Sequence, residues 1–471
     1  MSGNTGAAIP GKKGSHAIIY ALMFGPFFSM FDSGLVNVGL PVIARDFSAS
    51  MQAVQWTTAI YLLTMSALLP IFGSLADAWG RGRIYNLGFF TISIFTLLCG
   101  FAPNLPLLIA FRALQALGGA MVMANGMAIA SESYPPSERG RNLGMLASMM
   151  AIGSIAGPSV GGIVIGAFGW RAAFYLTFVV SFAAFATTYF TIPRTKKAGV
   201  GRHPFDYLGA ILLIVTIFTF VYGVSSLGGG SGSKSLTFIA LAIFVVTLPL
   251  LFAVERRNPR PVFDFGLFRN ATFGSSLGSS LISFATMYSP TVLVPFYLQG
   301  ALGLSPALSG LYLLAFPVAM ALLSPISGHL SDKIGSRPLA MTALGINGLA
   351  LALFGMIGPT WPSWLILVPL FAMGIGLGLF QSPNNSAALG SAPKERLGTA
   401  NAIIQLVKNL GMVLGITLST MAFSALMGGR PHDDPVAFLA SARWVYWGAA
   451  ILSFVGVYVA SLRGRPSVLA S

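Results

Sequence analysis

Cysteine is almost missing from this chain: Cys99 is the single one in 471 residues. That count excludes an internal disulfide framework and a cysteine-built metal centre. Histidine is nearly as scarce, with four residues at no ligand spacing, so no metal site is expected. No Gly-rich loop ending in Gly-Lys-Ser/Thr occurs, which excludes a transport engine driven by the chain's own P-loop ATP hydrolysis. No cofactor is expected, and nothing marks the chain as an enzyme. Charge is scarce as well. Asp, Glu, Lys and Arg together make 8% of the residues, against about 25% in ordinary soluble domains.

Apolar sequence takes the place of charge. The chain is 55% hydrophobic and its apolar runs recur from end to end, the mark of a polytopic membrane protein. Runs of about 20 apolar residues read as spanning helices. Fourteen are found, six over 17–192, a pair over 207–254 and six over 273–462. The expected fold is therefore all-α, with an N-terminal six-helix bundle in 1–194, an inserted helix pair with its linkers in 195–271, and a C-terminal six-helix bundle in 272–471. The pair carries no charge between Tyr207 and Lys234 and none again until Glu255. It is expected at the periphery, facing lipid.

The net charge of +15 does not point to nucleic acid, because Lys and Arg are scattered through short loops and not gathered on one solvated face. Their distribution sets orientation instead. Most of the 27 basic residues fall on one side if both termini are cytoplasmic, as expected for a multi-pass protein of a cytoplasmic (inner) membrane. A lipid bilayer is thus an expected partner.

Three charges interrupt the apolar runs: Asp32, Arg112 and Lys408. An isolated charge at the bilayer centre costs roughly 2.5–3.5 kcal/mol even on lenient insertion scales, so each is a functional candidate. Asp32 lies about 22 Å from the inner end of helix 1 and Arg112 about 20 Å from the inner face on helix 4. The similar depths allow two readings. One is a structural ion pair; the other is a carboxyl for which substrate and proton compete, tuned by Arg112. Lys408, roughly 14 Å deep, either binds an anionic or polar substrate group or packs as a structural cation.

Two loops repeat each other. Gly73, Leu75, Asp77 and Gly80, followed by Arg81 and Arg83, recur as Gly328, Leu330, Asp332 and Gly335, followed by Arg337. Two copies eight helices apart fit six-helix halves with two helices inserted between them.

At these loops the chain resembles the major facilitator superfamily. The match extends to Gln55-Trp56 with Tyr61 and Pro70, to Arg112 with Gln115, Gly118 and Gly119, and to Gly153, Gly157-Pro158 and Gly161-Gly162 followed by Trp170-Arg171. With Asp32, Asn37, Leu40 and Pro41 on helix 1, the set is similar to the fourteen-helix drug:proton antiporter family of multidrug-efflux type. That resemblance implies antiport of small molecules against protons, a substrate site near the midplane, alternating access, a role in antibiotic resistance, and action as a monomer. It also implies that Asp32 and Arg112 form the proton-coupling site. The two Gly-Asp-Arg loops would be a conformational gate, against the alternative of local helix capping. Gly153, Gly157, Pro158, Gly161 and Gly162 would be the antiporter motif, sealing a contact with a second-half helix or simply packing tightly.

Met and aromatic side chains repack easily around varied cargo. Phe28, Phe31, Met123, Met127, Tyr288 and Phe296, with Asp32 and Lys408, are the expected substrate-binding set. The sequence departs from the family pattern where Ala78 and Trp79 replace a frequent basic residue and where the second half lacks an intramembrane acid. The latter speaks against export of dications. A metabolite exporter or uptake transporter on the same fold is the alternative, and a non-transporting membrane sensor or lipid-handling protein a further one.

Overall fold

A bilayer offers the backbone no hydrogen-bond partners, so each apolar run must satisfy its own N–H and C=O groups by closing into a helix. The computed structural model describes residues 16–134, 136–192, 206–227, 234–258, 261, 263–393, 396–428 and 434–463. Fourteen helices there are long and apolar enough to cross a membrane. They are α1 (His16–Asp46), α2 (Trp56–Trp79), α3 (Arg81–Gly100), α4 (Leu105–Ser133), α5 (Pro136–Phe168), α6 (Trp170–Thr191), α7 (Tyr207–Leu227), α8 (Lys234–Arg257), α9 (Ala271–Phe296), α10 (Ala315–Ile334), α11 (Ser336–Met356), α12 (Leu367–Gly390), α13 (Leu397–Met427) and α14 (Pro435–Ser461). Short helical segments precede α2 at Met51–Val54 and α10 at Pro306–Leu313.

Side-chain caps set several of the starts. Asn104 accepts from the Leu107 N–H at 3.0 Å, and Asp434 from the Val436 N–H at 2.9 Å. The repeated loops end α2 and α10 in the same way: Gly80 and Gly335 adopt φ of +98° and +84°, and their N–H groups close on Ala76 and Ser331 carbonyls. Those φ values explain why both copies carry glycine there.

Packing repeats with an offset of eight helices. In the first half α1 packs on α5, α3 on α4, α2 on α4, and α3 on α6; in the second α9 packs on α13, α11 on α12, α10 on α12, and α11 on α14. The contacts between halves are swapped partners of the same kind, α2 on α13 and α5 on the Pro306–Leu313 segment. The result is two six-helix bundles plus two inserted helices.

The inserted pair is not wholly peripheral. α8 turns Leu236, Phe238, Val245 and Val246 outward, but α7 packs against both α2 and α13 and so touches both halves. Asp206 and Tyr207 at its start line the central cavity.

Polar residues knit the second half internally. Asn384 Nδ2 on α12 donates to Ser280 Oγ at 2.7 Å and to the Ser276 carbonyl at 3.3 Å on α9. Arg463, just past α14 and 2% exposed, donates to Asn384 Oδ1 and, at 2.9 Å, to Ser279 Oγ. Burial pulls the Arg463 guanidinium down to about 10, which leaves it charged at neutral pH. Hydrogen bonds to a charged group contribute about 1.5–3 kcal/mol each, and the larger loss comes from stranding a buried donor. Asn384→Leu is therefore expected to lower stability by about 2–3 kcal/mol. Thermal unfolding of the purified protein in detergent checks this, and an unchanged midpoint would contradict it.

Candidate functional site

A cavity of about 2340 Å³ lies between the two halves. Its mouth is at the end of the molecule carrying Trp79, Arg81, Asp206, Asp264 and Arg396, and its wall reaches inward to Tyr61, Met65, Tyr288, Lys408 and Met412. The opposite end is closed by contacts between halves. Gln299 Nε2 donates to the Val38 carbonyl at 2.9 Å, and Thr420 Oγ1 donates to Gln55 Oε1. The backbone of α5 there lies directly on the Pro306–Leu313 segment: a Cβ placed on Gly162 would stand 2.5 Å from the Pro306 carbonyl oxygen, and one on Gly310 2.2 Å from that of Pro158.

The α5 glycines thus divide between two neighbours. Gly153, Gly157 and Gly161 receive Phe27, Phe31 and Leu35 of α1, in their own half. Gly162 alone of the four glycines meets the second half, together with Pro158 through its carbonyl. The motif therefore packs tightly within its own half and meets the second half only at its Gly162 end.

Asp32 is fully buried, and the agreement in depth with Arg112 is a contact. Arg112 Nη1 stands 2.7 Å from Asp32 Oδ2 and donates at 2.6 Å to Gln115 Oε1. Gln115 Nε2 in turn donates to Asp32 Oδ1 at 3.3 Å and to Thr96 Oγ1 at 2.7 Å. Arg112 Nε donates to the Thr57 carbonyl at 3.0 Å. Both Asp32 oxygens and the Arg112 Nε and Nη1 therefore have partners within the protein, the condition under which a buried ion pair is tolerated. Tyr61 stacks its ring 4.4 Å from Arg112 Cζ and also lines the cavity. It stands between the ion pair and the cargo space.

The expected substrate residues separate into two groups. Met123, Met127, Tyr288 and Lys408 line the cavity. Asp32, Phe28, Phe31 and Phe296 are buried behind its wall in this conformation, Phe28 among Tyr85 and Phe89, and Phe31 stacked on Phe27 at 5.3 Å between centroids. These four do not line the cavity in this conformation. Lys408 Nζ sits 5.2 Å from the Phe284 ring centroid. In the repeated loops Gly73 and Arg81 line the cavity, Gly80 carries the turn described above, Arg83 is exposed and Arg337 half-buried. The side chains of Asp77 and Asp332 lie outside the described residues. Trp170 and Arg171 both hold Asp46, through Nε1 at 2.9 Å and Nη1 at 2.7 Å, fixing α6 to the end of α1.

Sequence reasoning missed part of the cavity wall. Gln381 and Asn385 on α12 and Asn401 and Gln405 on α13 face the cavity beside Lys408. Their signal was present as polar residues four apart in otherwise apolar helices, the spacing that places side chains on one helical face. An amide costs far less than a charge in such a helix, so it marks a site less sharply.

The family model of the Major Facilitator Superfamily matches residues 22–416 and 275–470. The chain belongs to the Major Facilitator Superfamily. Among relatives in this superfamily, the riboflavin transporter RibZ of Clostridioides difficile is 29% identical, over 93% of this chain and 95% of its own. The multidrug resistance protein Stp of Mycobacterium tuberculosis is 30% identical, over 89% of this chain and 79% of its own. The multidrug transporter protein MdtP of Bacillus subtilis is 27% identical over 92% and 80%. Among solved structures, a bacterial homologue of the human lysosomal transporter Spinster, in an inward-facing and unoccupied conformation, superposes with a TM-score of 0.68 at 18% identity, covering 95% of this chain and 96% of its own. A peptide transporter POT in complex with sulfate gives 0.69 at 18% identity, covering 94% of each chain. At that identity the likeness concerns the fold. The chain is a multi-pass membrane transporter of the superfamily, with a cavity suited to small molecules.

Proposed function

We propose that this protein is a proton-coupled antiporter that exports lipophilic or drug-like small molecules across the cytoplasmic membrane by alternating access, acting as a monomer with both termini in the cytoplasm. The observation that carries the reading is the buried Asp32–Arg112–Gln115 cluster, held one tyrosine away from the cavity. A carboxyl in that position exchanges its ion pair for a proton only when the helices around it shift, which ties protonation to conformation. Asp32 is assigned to coupling, and cargo contact to the residues on the cavity wall.

The basic loops mark the cavity mouth as cytoplasmic, so this conformation faces inward and its outer end is closed. The Gly73–Asp77–Gly80–Arg81 and Asp332–Arg337 loops then sit at the open side, in keeping with a gate that holds the opposite, outward-facing state. Relatives named for multidrug resistance support the drug-like cargo and a contribution to antibiotic resistance. The relative named a riboflavin transporter favours, as a second reading, transport of a polar metabolite through the same cavity.

Proteoliposomes carrying a pH-sensitive dye test the proposal. Adding a drug-like substrate is expected to move protons opposite to the cargo, and a drug-susceptibility screen of cells lacking the protein should name that cargo. Cargo movement that ignores an imposed proton gradient would sink the antiport reading.

A further inference from the structure

The two walls of the cavity differ in chemistry. The N-terminal half presents thioethers on four helices: Met30 of α1, Met65 of α2, Met123 and Met127 of α4, and Met150 of α5. The C-terminal half adds only two thioethers, Met320 and Met412, and presents amides, Gln381 and Asn385 from α12 and Asn401 and Gln405 from α13, with the cation Lys408 at mid-depth and Arg396 at the mouth. Residues 401, 405 and 408 follow one another at helical spacing, so they form a single stripe running from the mouth to the middle of the cavity.

Hydrogen bonding separates this stripe from the amides that knit the bundles together. Gln115, Asn347 and Asn384 each hold hydrogen-bond partners inside their own bundle. Among the described residues, Gln381, Asn385, Asn401, Gln405 and the Lys408 ammonium make no intramolecular hydrogen bond or ion pair, and what Lys408 touches is the Phe284 ring face. Polar side chains that point into a cavity without a partner of their own are available to cargo.

Charge decides the sign of that cargo. The charged residues lining the cavity, among those described, are Arg81, Asp206, Asp264, Arg396 and Lys408. The first four stand at helix ends or in loops at the mouth, where Asp264 already pairs with Arg396. Lys408 lies about 16 Å into α13, with Asp32 locked behind Tyr61. The one charge offered at mid-depth, among the described residues, is positive.

We infer that this cavity selects amphiphiles with an anionic head group, such as a carboxylate or a deprotonated imide, which Lys408 pairs and the Gln381, Asn385, Asn401 and Gln405 amides orient, while the apolar body lies on the methionine wall. The inference rests on the reading of this cavity as the transport site. It sets the protein apart from exporters of lipophilic cations, because a cation would meet the Lys408 ammonium with no carboxylate at that depth to offset it.

Three pyrene probes of matched shape test it on the purified full-length protein in nanodiscs without a proton gradient: 4-(1-pyrenyl)butyrate, its methyl ester, and the corresponding trimethylammonium cation. Fluorescence titration is expected to give the carboxylate a Kd about tenfold below that of the ester, with the cation weakest. Lys408→Met should raise the carboxylate Kd about tenfold while moving that of the ester less than about twofold, and Lys408→Arg should keep the preference. Equal binding of acid and cation, an acid-to-ester ratio unchanged by Lys408→Met, or no binding of any probe overturns the inference. The wild-type ratio decides even if a variant fails to fold. Repeating the series as transport under a proton gradient separates the two proposals: preferential binding of the acid with no proton-driven movement overturns the antiport reading alone.

Discussion

Asp32→Asn is expected to abolish proton-driven efflux, lowering the gradient-dependent rate at least about 100-fold, the scale of losing an essential proton carrier. The amide keeps the shape of the carboxyl and retains an oxygen for Arg112, but it neither binds nor releases a proton. Arg112 keeps the Thr57 carbonyl, Gln115 Oε1 and the Tyr61 face, so the cation is not stranded and the fold should survive. Binding of cargo in the absence of a gradient is expected to stay within about threefold, because Asp32 lies behind Tyr61 and not on the cavity wall. Wild-type efflux should rise as the outer side is acidified, and the variant should be flat across the same range. Efflux by Asp32→Asn that still follows external pH would exclude Asp32 as the coupling group.

Adding one methyl group at the closed end of the cavity is expected to have the second largest effect. Gly162 and Gly310 face backbone oxygens across the halves at ideal-Cβ distances of 2.5 and 2.2 Å, and backbone, unlike a flexible side chain, cannot swing aside. Overpacking of this kind costs about 1–3 kcal/mol. Because the overlap arises where the halves meet, the cost is removed by opening that end. Gly162→Ala and Gly310→Ala should therefore shift the population toward the state open at that end by about 5- to 150-fold, and slow turnover correspondingly. Spin labels on Phe168 and Leu308, both exposed near this seal, would report it as growth of a longer-distance population in pulsed EPR. Gly166→Ala is the control, since its Cβ would meet Ala307 at an ordinary 3.7 Å. A distance distribution as short in Gly310→Ala as in the wild type would refute the seal.

The fold was legible in the sequence because a bilayer leaves the backbone few choices. Apolar runs of spanning length had to be helices, and the repeated Gly80 and Gly335 turns placed the two halves eight helices apart. Helix ends were less legible, since α14 starts at Pro435 under an Asp434 cap, ahead of the apolar run from 442 that suggested it. The buried ion pair was legible for a related reason. Charges are so costly in an apolar helix that Asp32 and Arg112 stood out singly, and equal depth made them neighbours. Thr57 and Thr96, which complete that cluster, carry no charge to draw notice, and Gln115 stood out only through the family resemblance. A hydroxyl or amide costs little enough in a helix to occur there for packing or a local backbone hydrogen bond alone.

Sequence alone therefore determined the solvent, the number of spans, the internal repeat and the identity of the buried charges, all of which depend on composition and on one-dimensional spacing. Only the tertiary structure decided which side chains share a surface. It put Asp32, Phe28, Phe31 and Phe296 behind the cavity wall, gave Gly162 and Gly310 the job of closing one end, and brought two amide pairs from α12 and α13 beside Lys408. The rotation of each helix about its axis is set by what packs against it. In a chain where nearly every face is apolar, hydrophobicity cannot say which face turns inward; steric fit and the hydrogen-bond needs of the few polar groups do.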